Sequence, residues 1–161
     1  MKVIKKQDNS HDCIICGMDN PLSLQAPFYE TEENTVVTKF KFRNEHQSYP
    51  GRAHGGMICA LLDELVGRAI WITEPNMWGV TISLNIKYRK PVPLETELIG
   101  IGEIISETSR TFNGKGTIKD KDGNVLAEAE AVYMKLPLEK IAEGSDSHDV
   151  MFAVPDNVTE I

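Results

Sequence analysis

The chain has 161 residues, of which 41% are hydrophobic and 25% are charged, as is ordinary for a single soluble globular domain. A formal net charge of −7 argues against broad binding to nucleic acids or anionic membranes. The sequence has no apolar run of about 18 residues and no apolar stretch typical of a signal peptide, so we expect a cytoplasmic protein. Three cysteines, an odd number, favour reduced thiols over a disulfide framework.

The polar and charged residues 1–12 predict a loose leader in front of a single domain that spans residues 13–143. This domain opens with Cys13 and Cys16 in the Cys-x-x-Cys spacing that zinc and redox sites use. A structural zinc site usually has a second such pair, which is missing here, although His11 or a partner chain could supply further ligands. The alternative interpretation, which we adopt, is a packed turn without a metal.

Two β-prone segments, residues 22–29 and 35–42, predict a hairpin. Within the second segment Phe40 and Phe42 alternate with lysines, which indicates one buried and one exposed face. Residues 43–53 then form a loop that leads to a helix.

The glycine-rich segment at His54 and the long stretch after it, rich in Ala, Leu and Ile, predict a helix that runs to about Ile72. Asp63 emerges from this helix among apolar or small neighbours. With the free N–H groups of Gly55 and Gly56 it could form an acyl-transfer site, in which the amides stabilise an oxyanion. A purely structural role for Asp63 remains open. The side chains expected to form a core-facing stripe are Ile58, Leu61, Leu62, Leu65, Ala69 and Ile72.

Residues 78–89 alternate strictly, with apolar side chains from Trp78 to Tyr88 on one face and Thr81 on the other, which predicts a long half-buried strand. A tail over residues 144–161 is expected to be flexible or docked on a partner subunit. Two strands, one helix and four more strands predict an α+β chain in which an antiparallel sheet wraps a single helix. The last three strands are expected at about 97–106, 110–119 and 124–135.

The segment Gln47-Ser48-Tyr49-Pro50-Gly51-Arg52-Ala53-His54-Gly55-Gly56, with Asp63 nine residues after His54, resembles the signature of hotdog-fold thioesterases of the phenylacetate-pathway type. The resemblance continues through residues 78–81 and 85–94, and it covers roughly residues 13–136. It implies a hotdog fold, in which an antiparallel β-sheet wraps one long central α-helix. It also implies an obligate homodimer, often doubled to a homotetramer, with the active sites at the dimer interface.

The activity implied by the resemblance is hydrolysis of an acyl-coenzyme A thioester, without a metal or an organic cofactor. Asp63 would act as general base or nucleophile, and the N–H of Gly55 across the interface would stabilise the oxyanion. Thr81 would hold the attacking water. The residues expected to orient the thioester are His54, Gly56 and either Gln47 or Ser48.

A basic cluster of Lys87, Arg89 and Lys90 could bind the phosphates of coenzyme A, or it could be a solvated strand edge. Two other functions compete with hydrolysis. One is a hotdog protein that binds acyl-CoA without cleaving it. The other is a zinc-stapled structural protein, and it depends on Cys13 and Cys16 alone.

Overall fold

The computed structural model describes residues 1–146 and 150–161, so residues 147–149 of the predicted tail lie outside the described residues. A long helix, α1, spans Gly55–Gly67, and a short helix, α2, spans Leu138–Ile141. The strands in chain order are β1 (Val3–Lys6), β2 (Asn9–Ser10), β3 (Tyr29–Thr31), β4 (Val36–Phe40), β5 (Trp78–Tyr88), β6 (Leu98–Glu107), β7 (Thr111–Lys119), β8 (Val125–Leu136) and β9 (Met151–Phe152).

Seven strands form one antiparallel sheet in the order β1-β3-β4-β6-β7-β8-β5, and β2 pairs with β9 separately. The long strand β5 therefore lies at one edge of the large sheet. Helix α1 packs against β4, β5, β6, β7 and β8, so the sheet wraps around it as the sequence predicts. None of the described helices has the length and apolar content needed to cross a membrane.

The central helix begins where the sequence predicts, with His54 as its N-cap. It continues beyond Gly67 as a 3₁₀ turn, Arg68–Ile72, so the predicted end at Ile72 is reached in a tighter helical form. Of the predicted core-facing stripe, Ile72 is half-buried and the other side chains are buried. The predicted stripe is therefore confirmed.

Two glycines on neighbouring strands let α1 approach the sheet closely. A Cβ atom at Gly102 would lie 2.6 Å from the carbonyl oxygen of Leu65, and one at Gly114 would lie 2.5 Å from Cγ1 of Val66. Both distances are too short for a side chain. The absence of side chains at these positions thus fixes how deep the helix lies in the curved sheet.

Strand β5 contains a β-bulge that strict alternation did not predict. Thr81 is paired with Tyr133 of β8, but Ser83 is paired with the very next residue, Val132, so Ile82 is an extra residue. An extra residue reverses the faces of the strand. Thr81 therefore faces the helix before the bulge, and Leu84 packs in the core after it.

The first residues of the chain do not form the loose leader that their polar composition indicates. Val3–Lys6 is an edge strand of the large sheet, and Asn9–Ser10 pairs with Met151–Phe152 near the C-terminus. The last residue also bonds back to the first, since the Ile161 N–H donates to the Met1 carbonyl oxygen at 3.0 Å. Partners distant in sequence order this segment, which is why local composition could not reveal the strands.

Helix α1 and the 3₁₀ turn are joined by an ion pair between Glu64 and Arg68, with Nε of Arg68 2.7 Å from Oε1 of Glu64. The spacing of the two residues predicts such a pair, but at the surface. Arg68 is instead only 3% exposed, and its guanidinium lies over the rings of Phe28 and Trp71 at 4.5 and 4.8 Å. The aromatic faces and Glu64 together compensate this buried charge.

Candidate active site

The start of α1 presents one free amide. The Nδ1 atom of His54 accepts a 2.9 Å hydrogen bond from the N–H of Gly56, so one of the two glycine amides is already occupied. No described residue accepts a hydrogen bond from the N–H of Gly55. Since Nδ1 of His54 is an acceptor, the proton of the neutral ring is on Nε2, where it can be donated. The helix start therefore offers the Gly55 amide and the His54 ring as outward donors.

The loop before the helix places Gln47 and Ser48 next to this start. Oε1 of Gln47 accepts from the N–H of Gly51 at 3.0 Å, and the Ser48 N–H donates to the Arg52 carbonyl oxygen at 2.8 Å. Both residues are exposed. The two contacts close a compact loop and leave the amide NH₂ of Gln47 and the hydroxyl of Ser48 as polar groups at its surface.

A buried histidine, His46, anchors the loop and was not identified from the sequence. Its Nδ1 accepts from the Arg43 N–H at 3.0 Å, and its Nε2 lies 2.7 Å from the Leu22 carbonyl oxygen. Its own carbonyl oxygen accepts from the His54 N–H at 2.8 Å. His46 therefore has a structural role and holds the segment that ends in the helix.

Asp63 is fixed by two hydroxyl groups from neighbouring strands. Oγ1 of Thr81 donates to Oδ1 of Asp63 at 2.8 Å. The Tyr133 hydroxyl lies 3.1 Å from the same Oδ1 and 2.9 Å from the Asp63 carbonyl oxygen. No described residue forms a hydrogen bond with Oδ2. The carboxylate is thus held through one oxygen, and the other is available to water or a substrate.

The Tyr133 hydroxyl is kept protonated in this environment. Burial raises the pKa of Tyr133 well above its usual value, and the negative charge of Asp63 raises it further. Tyr133 therefore acts as a hydrogen-bond donor and not as a proton-transfer group.

Sequence reasoning missed Tyr133, although a signal for it exists. Tyr133 lies on the same buried face of β8 as Ala127, Ala129 and Ala131. A large side chain with a hydroxyl group after three alanines on one buried face indicates a specific polar contact. Its cross-strand partner is Thr81, which explains why both hydroxyls reach the same carboxylate. The strand pairing that brings them together is not visible in the sequence.

The two parts of the site lie far apart within one chain. Gly55 and Asp63 are separated by eight residues of the same helix, which corresponds to about 12 Å along its axis. A donor and a base that act on the same carbonyl group must each lie within about 3 Å of the reacting atoms. Within one chain, Gly55 and Asp63 are therefore too far apart to act on the same carbonyl group.

The other end of β5 carries the basic cluster predicted from the sequence. Lys87, Arg89 and Lys90 are exposed, and Nε of Arg89 donates to Oε1 of Glu128 at 3.1 Å. Nearby, the Tyr88 hydroxyl donates to the Gly55 carbonyl oxygen at 2.9 Å. This contact places the basic cluster close to the helix start and far from Asp63.

A cavity of about 670 Å³ lies beyond the 3₁₀ turn, where Trp71, Trp78, Leu138 and Met151 contribute to its lining. Asp63, Thr81 and Tyr133 do not line it. Asp63 instead lies between α1 and the edge strand β5, where it contacts Thr81.

Comparison with known proteins assigns the family. A model of the thioesterase superfamily matches residues 50–127. Acyl-coenzyme A thioesterase THEM4 from Mus musculus is 33% identical over 116 residues, which are 71% of this chain and 49% of that protein. The chain thus spans about half the length of this curated relative.

Solved structures agree with this result. The crystal structure of a thioesterase superfamily protein matches with a TM-score of 0.71 at 28% identity and covers 78% of this chain and 60% of that one. A hypothetical thioesterase from Streptococcus pneumoniae, crystallised with coenzyme A, matches with a TM-score of 0.58 at 27% identity and covers 64% and 82%. The predicted hotdog fold is confirmed, and the chain belongs to the thioesterase superfamily.

Proposed function

We propose that this protein hydrolyses acyl-coenzyme A thioesters, with Asp63 as the general base or nucleophile. The observation that carries the proposal is the carboxylate of Asp63, held at Oδ1 by Thr81 and Tyr133 while Oδ2 has no described partner. A carboxylate oriented in this way is prepared to accept a proton from water or to attack a carbonyl carbon. The names of the similar proteins, an acyl-coenzyme A thioesterase and a thioesterase crystallised with coenzyme A, support this substrate class.

The functional unit in this proposal is a homodimer. The separation of about 12 Å between Gly55 and Asp63 requires that the donor and the base of one site come from different chains. Strand β5 offers an interface for this, because it is a free sheet edge of 11 residues. Ile82 and Tyr88 on this strand are each 54% exposed. Two copies joined along β5 would place the start of one α1 near Asp63 of the other, and such dimers could pair into a tetramer.

In the base mechanism, Oδ2 of Asp63 takes a proton from water while the water oxygen attacks the thioester carbon. Thr81 donates its own proton to Asp63, so its oxygen remains free to accept the second proton of that water as a hydrogen bond. The partner's Gly55 N–H stabilises the oxyanion of the tetrahedral intermediate. The carbon–sulfur bond then breaks, and coenzyme A leaves as the thiol after it takes up a proton.

In the nucleophile mechanism, Asp63 attacks the same carbon and displaces the coenzyme A thiolate, and water then hydrolyses the mixed anhydride. Both mechanisms use the same groups at the helix start. His54 and Gly56, with Gln47 or Ser48, would orient the thioester. Lys87, Arg89 and Lys90 would bind the phosphates of coenzyme A, and Arg89 would then exchange Glu128 for a phosphate.

The deciding experiment measures the release of coenzyme A thiol from short, medium, long and aromatic acyl-CoAs, with wild type and Asp63→Asn compared. Asp156→Asn is a matched control, because it makes the same chemical change far from the site. We expect wild-type turnover, a loss of at least about a hundredfold in Asp63→Asn, and no loss in Asp156→Asn.

Two outcomes would overturn parts of the proposal. A wild type that binds acyl-CoA but cleaves none of the panel would be a non-catalytic acyl-CoA-binding protein. Activity that survives in a folded Asp63→Asn would mean that another residue is the base.

A further inference from the structure

Two thiols from the segment before β3 and one carboxylate of α1 converge at a point that the proposed hydrolysis does not use. Sγ of Cys13, Sγ of Cys16 and a carboxylate oxygen of Glu64 all lie within 4.8 Å of one another. Cys16 is only 1% exposed, and Cys13 and Glu64 are half-buried. A tetrahedral zinc ion with bonds of about 2.3 Å holds its sulfur ligands about 3.8 Å apart. The three groups are therefore close to the spacing of a metal site.

Hydrogen bonds from neighbouring groups hold both sulfur atoms in place. The Ile15 N–H donates to Sγ of Cys13 at 3.3 Å, and Nη2 of Arg68 donates to Sγ of Cys16 at 2.9 Å. Both sulfur atoms therefore already accept hydrogen bonds from the surrounding protein.

The turn that carries the cysteines is rigidly built. The Gly17 N–H donates to the Cys13 carbonyl oxygen at 2.8 Å, and a Cβ atom at Gly17 would lie 2.3 Å from that oxygen, so only glycine fits. The buried side chain of Asn9 donates to the Cys16 carbonyl oxygen at 2.8 Å. The two sulfur atoms are thus positioned by the backbone before any ligand is present.

Arg68 orients two of the three ligands. Its Nε donates to Oε1 of Glu64 at 2.7 Å while its Nη2 bonds Cys16. The second oxygen of Glu64, Oε2, accepts a long hydrogen bond of 4.0 Å from the Cys13 thiol. An outer group that fixes the orientation of ligands in this way is typical of metal sites.

The charges also favour a divalent ion. Metal binding would release the two thiol protons to solvent, and the two thiolates and one carboxylate against one guanidinium would then leave a net charge of −2, which a divalent cation would neutralise. Thiolates select zinc among the common divalent ions. In place of the metal-free turn expected from the sequence, we propose that Cys13, Cys16 and Glu64 bind Zn²⁺ and that the fourth coordination position faces solvent.

The test measures metal uptake and does not depend on hydrolysis. The full chain is reduced, stripped with a chelator and titrated with Zn²⁺ against a chromophoric chelator, and Co²⁺ serves as a spectroscopic probe of thiolate ligands. We expect about one ion per chain and a sulfur-to-cobalt charge-transfer band. Cys13→Ser and Glu64→Gln should each weaken binding at least tenfold. Cys59→Ser, which removes the thiol outside this cluster, should bind as wild type does.

Replacement of Cys16 could unfold the protein because this residue is fully buried. The test therefore uses Cys13→Ser and Glu64→Gln, and circular dichroism checks that both variants fold. The proposal is overturned if the reduced wild type takes up no Zn²⁺. If, in addition, the protein forms a Cys13–Cys16 disulfide in air, the two cysteines form a redox pair and not a metal site. It is also overturned if Cys59→Ser loses binding as Cys13→Ser does.

Discussion

The Thr81 hydroxyl donates a hydrogen bond of 2.8 Å to Oδ1 of Asp63, although the two residues are 18 positions apart and lie on different elements. This contact joins the edge strand β5 to the middle of the central helix. It holds the carboxylate without using Oδ2, the oxygen that the proposed chemistry requires.

Replacement of Thr81 by Val removes this hydrogen bond and keeps the shape of the side chain. A hydrogen bond to a charged group is worth about 1.5–3 kcal/mol, so we expect kcat to fall roughly ten- to a hundredfold. Thr81→Ser keeps the hydroxyl and should retain most of the activity. Steady-state kinetics on the best acyl-CoA checks both variants, and a Thr81→Val enzyme as active as wild type would contradict the assigned role.

Tyr133→Phe tests the second hydroxyl at Asp63. The ring should stay in place, because it stacks on Phe112 with centroids 4.8 Å apart, but the donor is lost. We expect about a tenfold lower kcat and about 1 kcal/mol less stability to unfolding. Since Tyr133 and Thr81 share Oδ1, the double variant should deviate from additivity.

Tyr29→Phe is the matched control for this change, since Tyr29 is also buried and its hydroxyl bonds Asp156 at 2.7 Å. It should lose similar stability in denaturant titrations and keep wild-type kcat. Equal kcat losses in the two variants would show that Tyr133 acts only through the fold.

A complementation experiment tests whether two chains share each site. Gly55→Pro removes the oxyanion donor but suits the first helical position, and the extended conformation of His54 (φ −66°, ψ 135°) is the one preferred before proline. Homodimers of Gly55→Pro or Asp63→Asn should each lose about a hundredfold or more in activity. A mixed dimer contains one intact site, so random assembly of equal amounts should recover about a quarter of wild-type activity.

Gly55→Ala keeps the N–H and is the control that should remain active, since its Cβ would lie 3.5 Å from the Tyr88 hydroxyl, an ordinary contact. The mixing requires denaturation and refolding of the two variants together. If the mixture is no more active than its components, the base and the donor do not combine across an interface.

The C-terminal segment is held by a carboxylate whose effect depends on pH. Asp156 accepts from the Tyr29 hydroxyl at 2.7 Å and pairs with Lys6 at 2.8 Å. Burial alone would raise the pKa of Asp156, but hydrogen bonds from Lys6, Tyr29 and the Val158 N–H outweigh it and lower the pKa. The stabilisation is therefore present above the unfolded pKa of about 3.9 and is lost as the pH falls through the lower folded value.

We expect Asp156→Asn to be about 1 kcal/mol less stable than wild type at neutral pH, and this difference to shrink below about pH 4. Denaturant titrations of both proteins across this pH range measure the difference directly, because contributions from other carboxylates cancel. A difference that stays constant down to pH 2 would exclude the charged form of Asp156 as its source.

Local pattern predicted the central helix and the strands β4 to β8. The strand expected at residues 22–29 was wrong, because the chain is irregular there until β3 begins at Tyr29, and β1, β2 and β9 were not predicted. The stripe from Ile58 to Ala69 is buried because apolar residues at helical spacing must face the sheet. Phe40 at the end of β4 and Phe42 just beyond it are buried because alternate side chains of an extended chain point to the same face. The positions of Asp63 and Thr81 followed from the resemblance to thioesterases, and the structure brings the two together.

The features that the sequence did not reveal depend on pairing between distant segments. Tyr133 meets Asp63 only because β8 pairs with β5 in one register, and Val3–Lys6 is a strand only because β3 lies beside it. Arg68 was expected at the surface because its spacing from Glu64 is a typical surface pattern. The aromatic rings of Phe28 and Trp71 that bury it come from other parts of the fold.

The bulge at Ile82 constrains how this protein can vary. Because one extra residue lets both Thr81 and Leu84 face the helix, the length of the chain between them matters more than the identity of Ile82. Many side chains could stand at position 82, but a deletion there would turn Thr81 or the apolar half of β5 away from the helix. Related sequences should therefore differ from this one in β5 by substitutions and not by insertions or deletions.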